Sequence, residues 1–294
     1  MNRRQFIQRT AATVTLAATA PSLFAQTHKR DIKRAIMFAT VGVPGSVAEK
    51  FKAIKTAGFA GVEAMSHMNQ DEVLKARDEA GLIIPSVCCS THWKENLASP
   101  DAAMRQRGLD GLKQALQDAK RYGATSVLFV QAVVSKDVSY ADAYKRSQEE
   151  LKKAVPLAEE LGVKIALENV WNNFLLSPLE AARYVDEMNS TAVGWHFDVG
   201  NVLRYGWPEQ WIEVLGKRIQ KLHIKEFSRT KMNNEGLWKG FDVKLMEGDN
   251  HWPKVMKALD KIGYKGWAMA EQGGADSPEG MKDIADRMAK IFAS

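Results

Sequence analysis

Short apolar runs alternate with longer stretches whose apolar positions recur every three to four residues, and the cycle repeats eight times along the chain. The predicted strands cover residues 34–40, 61–64, 82–89, 126–130, 163–168, 193–198, 219–223 and 266–271. The predicted helices cover 46–57, 71–80, 102–122, 141–161, 178–189, 208–215 and 278–292. Gly58, Gly81, Gly123, Gly162 and Gly263 stand just before strands, where a helix commonly ends in a left-handed residue. Such alternation without a linker, over barrel-like length, predicts a single α/β domain: a (β/α)8 TIM barrel over residues 26–294. A doubly wound open sheet would carry a glycine-rich phosphate loop after strand one, and Val41-Gly42-Val43-Pro44-Gly45 does not match one.

Four predicted strands end on groups that carry chemistry. They are Glu168, Asp198, His223 and Glu271, three carboxylates and one imidazole. In a barrel all strand C-termini meet at one rim, so these four become neighbours and would suit a divalent metal. Three oxygen ligands and one imidazole, with two positions left open, favour Mn²⁺, Mg²⁺ or Co²⁺ over a closed tetrahedral Zn²⁺ site. Residues 227–250 form a long polar loop over the rim, of the kind that serves as a lid. Glu63, His92, Gln131, Trp171, Asn172, His196, Asn201 and Lys225 also fall at or just past strand ends, as candidates for substrate contact. Glu63 reads equally as a rim ion pair and His196 as a core histidine. Lys225 could steady an oxyanion or a phosphate. Trp238 and Trp252, flanking the loop, read first as hydrophobic anchors and second as sugar contacts.

The segments Leu167-Glu168-Asn169, His196-Phe197-Asp198, Leu222-His223-Ile224-Lys225, Glu247-Gly248-Asp249 and the closing Glu271 resemble the xylose isomerase-like TIM-barrel superfamily. The sugar (phosphate) isomerase/epimerase branch is the nearest look-alike, and the resemblance spans essentially the whole chain past the N-terminus. It implies that Glu168, Asp198, His223 and Glu271 hold one divalent metal, with Mn²⁺ first and Mg²⁺, Co²⁺ or Zn²⁺ as alternatives. It also implies that Glu168 and Glu271 act as base and acid on opposite faces of a carbon next to a carbonyl, through a metal-stabilised enediolate. Dimers are common in this superfamily. The chain departs from the epimerase and endonuclease IV pattern at Asn201, where a histidine three residues past the strand-six aspartate is usual. Asn233 and Asn234 stand where the nuclease would place further metal-binding groups, which argues against DNA repair.

Bulk composition adds compartment and partners. Residues 1–25 carry Arg3-Arg4 followed by a mildly apolar, alanine-rich stretch and Ser22-Leu23-Phe24-Ala25, the order of a twin-arginine export signal. That predicts a periplasmic destination. The segment holds three arginines and no acid, so half of the formal +6 charge belongs to it. The remaining +3 predicts neither nucleic-acid nor membrane binding and leaves a small carbohydrate as the expected partner. Adjacent Cys88 and Cys89 offer no disulfide framework. The expected activity is a metal-dependent sugar isomerase or epimerase. The alternatives are a lyase or dehydratase on a keto-sugar or keto-glycoside, and a non-catalytic sugar-binding barrel.

Overall fold

The structure, a computed structural model, describes residues 30–294, and the predicted export signal lies outside them. The first half of the chain contributes β1 (Ile32–Met37), α1 (Val47–Thr56), β2 (Gly61–Met65), α2 (Gln70–Ala80), β3 (Val87–Cys88), α3 (Ala102–Tyr122) and β4 (Ser126–Phe129). Two helices follow, α4 (Tyr140–Lys152) and α5 (Val155–Leu161), then β5 (Lys164–Glu168), α6 (Pro178–Asp186) and β6 (Val193–Asp198). The chain continues through α7 (Val199–Val202), α8 (Pro208–Leu215), β7 (Ile219–Ile224), α9 (Arg229–Glu235) and α10 (Trp252–Lys261) to β8 (Gly266–Ala270) and α11 (Pro278–Ala293). The eight strands pair in parallel and in sequence order, and β1 closes on β8 with Ile32 opposite Gly266. The predicted (β/α)8 barrel is therefore the observed fold.

Each helix packs one apolar stripe onto the barrel. In α10 the buried residues Val255, Met256 and Leu259 recur at helical spacing. Helix starts are fixed by side chains: Ser46 and Glu49 form a reciprocal capping box on α1, and Asp101 caps α3. All five of the predicted helix-ending glycines have positive φ.

Two expectations need correction. Strand three is two residues long, not eight, because Pro85 supplies no N–H to the ladder and leaves Ile83 as an isolated bridge to Gly61. The single helix expected over 141–161 is two, because Pro156 restarts the helix in the first turn of α5, where its missing N–H is tolerated.

Register sets the heights of the strand ends. Asp198 lies opposite His223, and Glu168 lies opposite His196. A register shift between Trp195 and His196 brings β6 and β7 into this alignment.

Candidate active site

The strand ends of β5 to β8 bring their side chains onto one imidazole. The Nδ1 of His223 lies 2.8 Å from Glu168 Oε1, 2.9 Å from Glu271 Oε2 and 3.9 Å from Asp198 Oδ2. Ligand atoms of the four residues all lie within 4.8 Å of one another. Lys225, two residues past His223, brings its Nζ to 2.7 Å from Glu271 Oε2 and 3.1 Å from Asp198 Oδ2.

Local bonding holds Asp198 in a fixed orientation. Its Oδ1 accepts from the Asn201 backbone N–H at 2.7 Å, capping α7, so Oδ2 is left pointing at the cluster. Asn169, adjacent to Glu168, brackets it: Asn169 Nδ2 donates to the Asp198 carbonyl, while Oδ1 accepts from Asp198 N and from Trp195 Nε1. The Leu167-Glu168-Asn169 motif stands out in the sequence, but nothing in it indicates this bracing between β5 and β6.

Burial sets the charges. It pushes the Glu168 carboxyl up to about 7, against the pull of His223, and the Asp198 carboxyl up to about 6, against Lys225. Burial alone would depress His223, but Glu63, Glu271 and Glu168 outweigh it and hold the imidazole well above its ordinary range. Burial would raise Glu271, yet Lys225 and His223 hold it well below the usual carboxylate range.

The donor set fits a divalent cation. Asp198 Oδ2 and Glu271 Oε2 are buried without a well-formed hydrogen bond, although cationic groups approach both. Buried oxygens of this kind ordinarily find partners. On the far side of the ring, His223 Nε2 donates to Glu63 Oε2 at 2.8 Å, which turns Nδ1 toward the three carboxylates. That is how a ligating histidine is usually held.

A cavity of about 300 Å³ opens above the cluster. Glu168, Glu271, His92, Trp171, Asn201 and Lys225 line it, together with Cys88, Trp93, Trp238 and Phe241. Substrate contact is also expected of Glu63, Gln131, Asn172 and His196; all four are buried, and none is among the residues that line this cavity. Glu63 lies beneath His223. His196 packs its ring 4.2 Å from that of His223, with neither nitrogen hydrogen-bonded. Asn172 ties the loop after β5 to the one after β4, donating to the Ala132 carbonyl and accepting from Phe174 N. Asn201 reaches the cavity, but its Nδ2 is tied to the Asn169 carbonyl.

The loop over the rim is anchored at its base by Glu226. Its carboxylate accepts from Trp252 Nε1 and from the backbone N–H groups of Met246, Asn250 and Phe227. A Cβ at Gly248 would stand 2.5 Å from the Phe227 carbonyl oxygen and 2.7 Å from the Glu226 side chain, which explains glycine there. Trp252 is thus an anchor, whereas Trp238 stands at the cavity mouth. Trp171, Phe227, Trp238 and Phe241 form one aromatic cluster, with Trp171 centroids 4.9 Å from both Trp238 and Phe241.

A family profile described as xylose isomerase-like TIM barrel matches residues 51–291. The chain is 27% identical over 268 residues to the L-ribulose-5-phosphate 3-epimerase UlaE of Escherichia coli, covering 82% of this chain and 90% of that one. Among solved structures, 3-keto-D-glucoside 4-epimerase YcjR from E. coli aligns with a TM-score of 0.74 at 18% identity, over 88% of this chain and 98% of that one. The IOLI protein with a bound zinc atom aligns with a TM-score of 0.72 at 17% identity, over 89% of this chain and 98% of that one. At these identities the structural likeness speaks for the fold.

Proposed function

The chain belongs to the xylose isomerase-like TIM barrel family, and from that premise we propose that it is a divalent-metal-dependent isomerase or epimerase of a keto-sugar. The carrying observation is the meeting of Glu168 and Glu271 on one nitrogen of His223, with Asp198 beside them. Glu168, Asp198, His223 and Glu271 would hold the metal, Mn²⁺ by preference, with Mg²⁺, Co²⁺ or Zn²⁺ as substitutes. When bound, the cation supplies Lewis-acid polarisation of the substrate carbonyl and charge stabilisation of the enediolate.

The protein's own groups do the proton work. Glu168, whose carboxyl burial raises to about 7, is matched to taking and returning a proton near neutral pH. Glu271, held ionised by Lys225, is the second carboxylate that a two-base epimerisation requires. The Lys225 ammonium stands over Asp198 and Glu271, where it can donate to an oxygen that gains negative charge. A lyase acting on the same keto-sugar would begin with the same proton abstraction.

Export to the periplasm by the twin-arginine route completes the reading and is supported by Arg3-Arg4 and the apolar stretch after them. N-terminal sequencing of the protein from a periplasmic extract tests it, and an intact Met1 would remove the export claim.

The activity is tested by elemental analysis of the purified protein and by solvent deuterium exchange into keto-sugars. About one divalent metal per chain, lost in a Glu168→Gln, Asp198→Asn double variant, together with metal-dependent exchange, is the expected result. Tight sugar binding without exchange, with or without metal, would overturn it in favour of a binding protein.

A further inference from the structure

Three tryptophans of the described residues are more than half exposed, and two of them, Trp93 at 53% and Trp238 at 68%, line the mouth of the active-site cavity. They come from different elements: Trp93 follows β3, and Trp238 lies in a short 3-10 turn (Leu237–Phe241) of the loop over the rim. Each ring packs on an aromatic neighbour. Trp238 tilts at 40° onto Trp171, and Trp171 in turn lies over Phe241, so aromatic surface runs from the cavity wall to its outer edge. Trp93 and His92 pack T-shaped, with their rings at 87°. Exposed indole faces on a concave surface point to a ligand, because the electron-rich face attracts the C–H edge of a sugar ring or stacks on an aromatic one.

Charge narrows the ligand further. Lys225 is the only lysine or arginine lining the cavity among the described residues, and its ammonium is already shared between Asp198 and Glu271. His92 stays neutral, since burial lowers its pKa to about 4. Arg204 reaches the aromatic cluster but sits over the ring of Trp171 at 4.9 Å and does not line the cavity. With a divalent cation bound and His223 neutral, Glu168, Asp198 and Glu271 balance that cation and Lys225, leaving no net positive charge. A phosphate group ordinarily needs an arginine, a lysine or a set of backbone N–H groups left over for it.

We propose that the Trp93 and Trp238 faces form a subsite for a second, uncharged ring, so that the substrate is a keto-glycoside carrying a sugar or aromatic aglycone rather than a sugar phosphate. The inference rests on the keto-sugar reading above and names the substrate class within it. The reacting ring sits over Glu168 and Glu271. The aglycone leaves that cavity past Trp93 and Trp238.

The test uses the metal-loaded full protein and four binding probes: D-glucose, D-glucose 6-phosphate, and phenyl α- and β-D-glucopyranoside. At least one phenyl glucoside should bind about ten-fold tighter than glucose, and glucose 6-phosphate no tighter. Trp93→Ala and Trp238→Ala should each erase most of the ratio of phenyl glucoside to glucose affinity, and Trp238→Phe should retain it. Both side chains are solvent-facing, and circular dichroism checks that the variants fold. Equal affinity for glucose and both phenyl glucosides, or tighter binding of glucose 6-phosphate, overturns the subsite. Deuterium exchange into D-fructose and phenyl 3-keto-D-glucopyranoside separates the two levels. Exchange without any ring preference leaves the isomerase reading standing and removes the subsite, whereas ring preference without exchange does the reverse.

Discussion

Glu63 and His223 are 160 residues apart and meet inside the barrel, with Glu63 Oε2 accepting from His223 Nε2 at 2.8 Å and both side chains essentially buried. The contact crosses the barrel from β2 to β7 and fixes which nitrogen of His223 faces Glu168, Asp198 and Glu271. Glu63 is therefore a positioning residue. Glu63→Gln keeps an acceptor but removes the charge, and should weaken Mn²⁺ binding by about ten-fold, within the range seen when such partners are altered. Glu63→Ala should lose more, up to about a hundred-fold. Calorimetric metal titration checks both. Unchanged affinity in the alanine variant would show that His223 is held by other contacts.

Proton competition gives the second prediction. Metal binding requires Glu168, Asp198 and the Nδ1 of His223 to be unprotonated, while the metal-free protein holds protons there because burial raises both carboxyls and the surrounding carboxylates raise the imidazole. Affinity should therefore rise with pH through the interval from about 6 to about 7 and continue upward as His223 gives up its proton. The metal-free fold should show the opposite trend for the carboxyls. Their folded pKa values lie above the unfolded ones, so the folded state binds more protons and their contribution to stability falls as pH rises from their ordinary values near 4 to about 7. Titrations in buffers of different ionisation enthalpy would count the released protons, and a flat profile between pH 5 and 8 would contradict the charge assignment.

The cluster was legible in the sequence because each member stands at the end of an apolar run, and strand ends in a barrel share one rim. The role of Glu63 was not legible, since nothing in Gly61-Val62-Glu63 says which strand lies across the barrel from it. For the same reason His196 reads in the sequence as an even choice between site and core, and nothing there shows that its ring packs against that of His223. Pro85 and Pro156 were both visible, yet hydrophobic periodicity masked the breaks they impose. The stretch 227–250, expected as a loop over the rim, holds α9 and a 3-10 turn, and its Trp238 and Phe241 line the cavity. Which of its tryptophans would be buried depended on its path, and that path is set by Glu226.

The anchor at Glu226 can be tested directly. Its carboxylate receives four hydrogen bonds from both ends of the loop, and removing a buried acceptor leaves those donors unpaired at roughly 1–3 kcal/mol each where water cannot replace it. Glu226→Ala should loosen residues 227–250, with faster proteolysis in that stretch and a raised KM, while metal affinity stays near normal. Gly248→Ala should act in the same direction, because its Cβ would press on the Phe227 carbonyl. Limited proteolysis followed by mass mapping would locate the cuts, and protection equal to the unaltered protein would remove Glu226 from this role.

Lys225 separates binding from turnover. Its ammonium pairs with Asp198 and Glu271, two groups that a cation would also need, so it opposes the metal electrostatically while holding Glu271 ionised. Lys225→Met removes a positive charge from a site that must accept two more. Above pH 8, where the carboxyls of both proteins are ionised, the variant should bind Mn²⁺ several-fold more tightly. Turnover should move the other way and fall by about 10²–10³, the usual effect of losing a donor to a developing oxyanion. Near pH 6 the gain in affinity should shrink, because Asp198 and Glu271 without Lys225 retain their protons more strongly. Metal titration at both pH values, beside kcat for keto-sugar exchange, reads the two effects separately. A variant that lost metal affinity and turnover together at pH 8 would show that Lys225 holds the site in shape rather than acting through its charge.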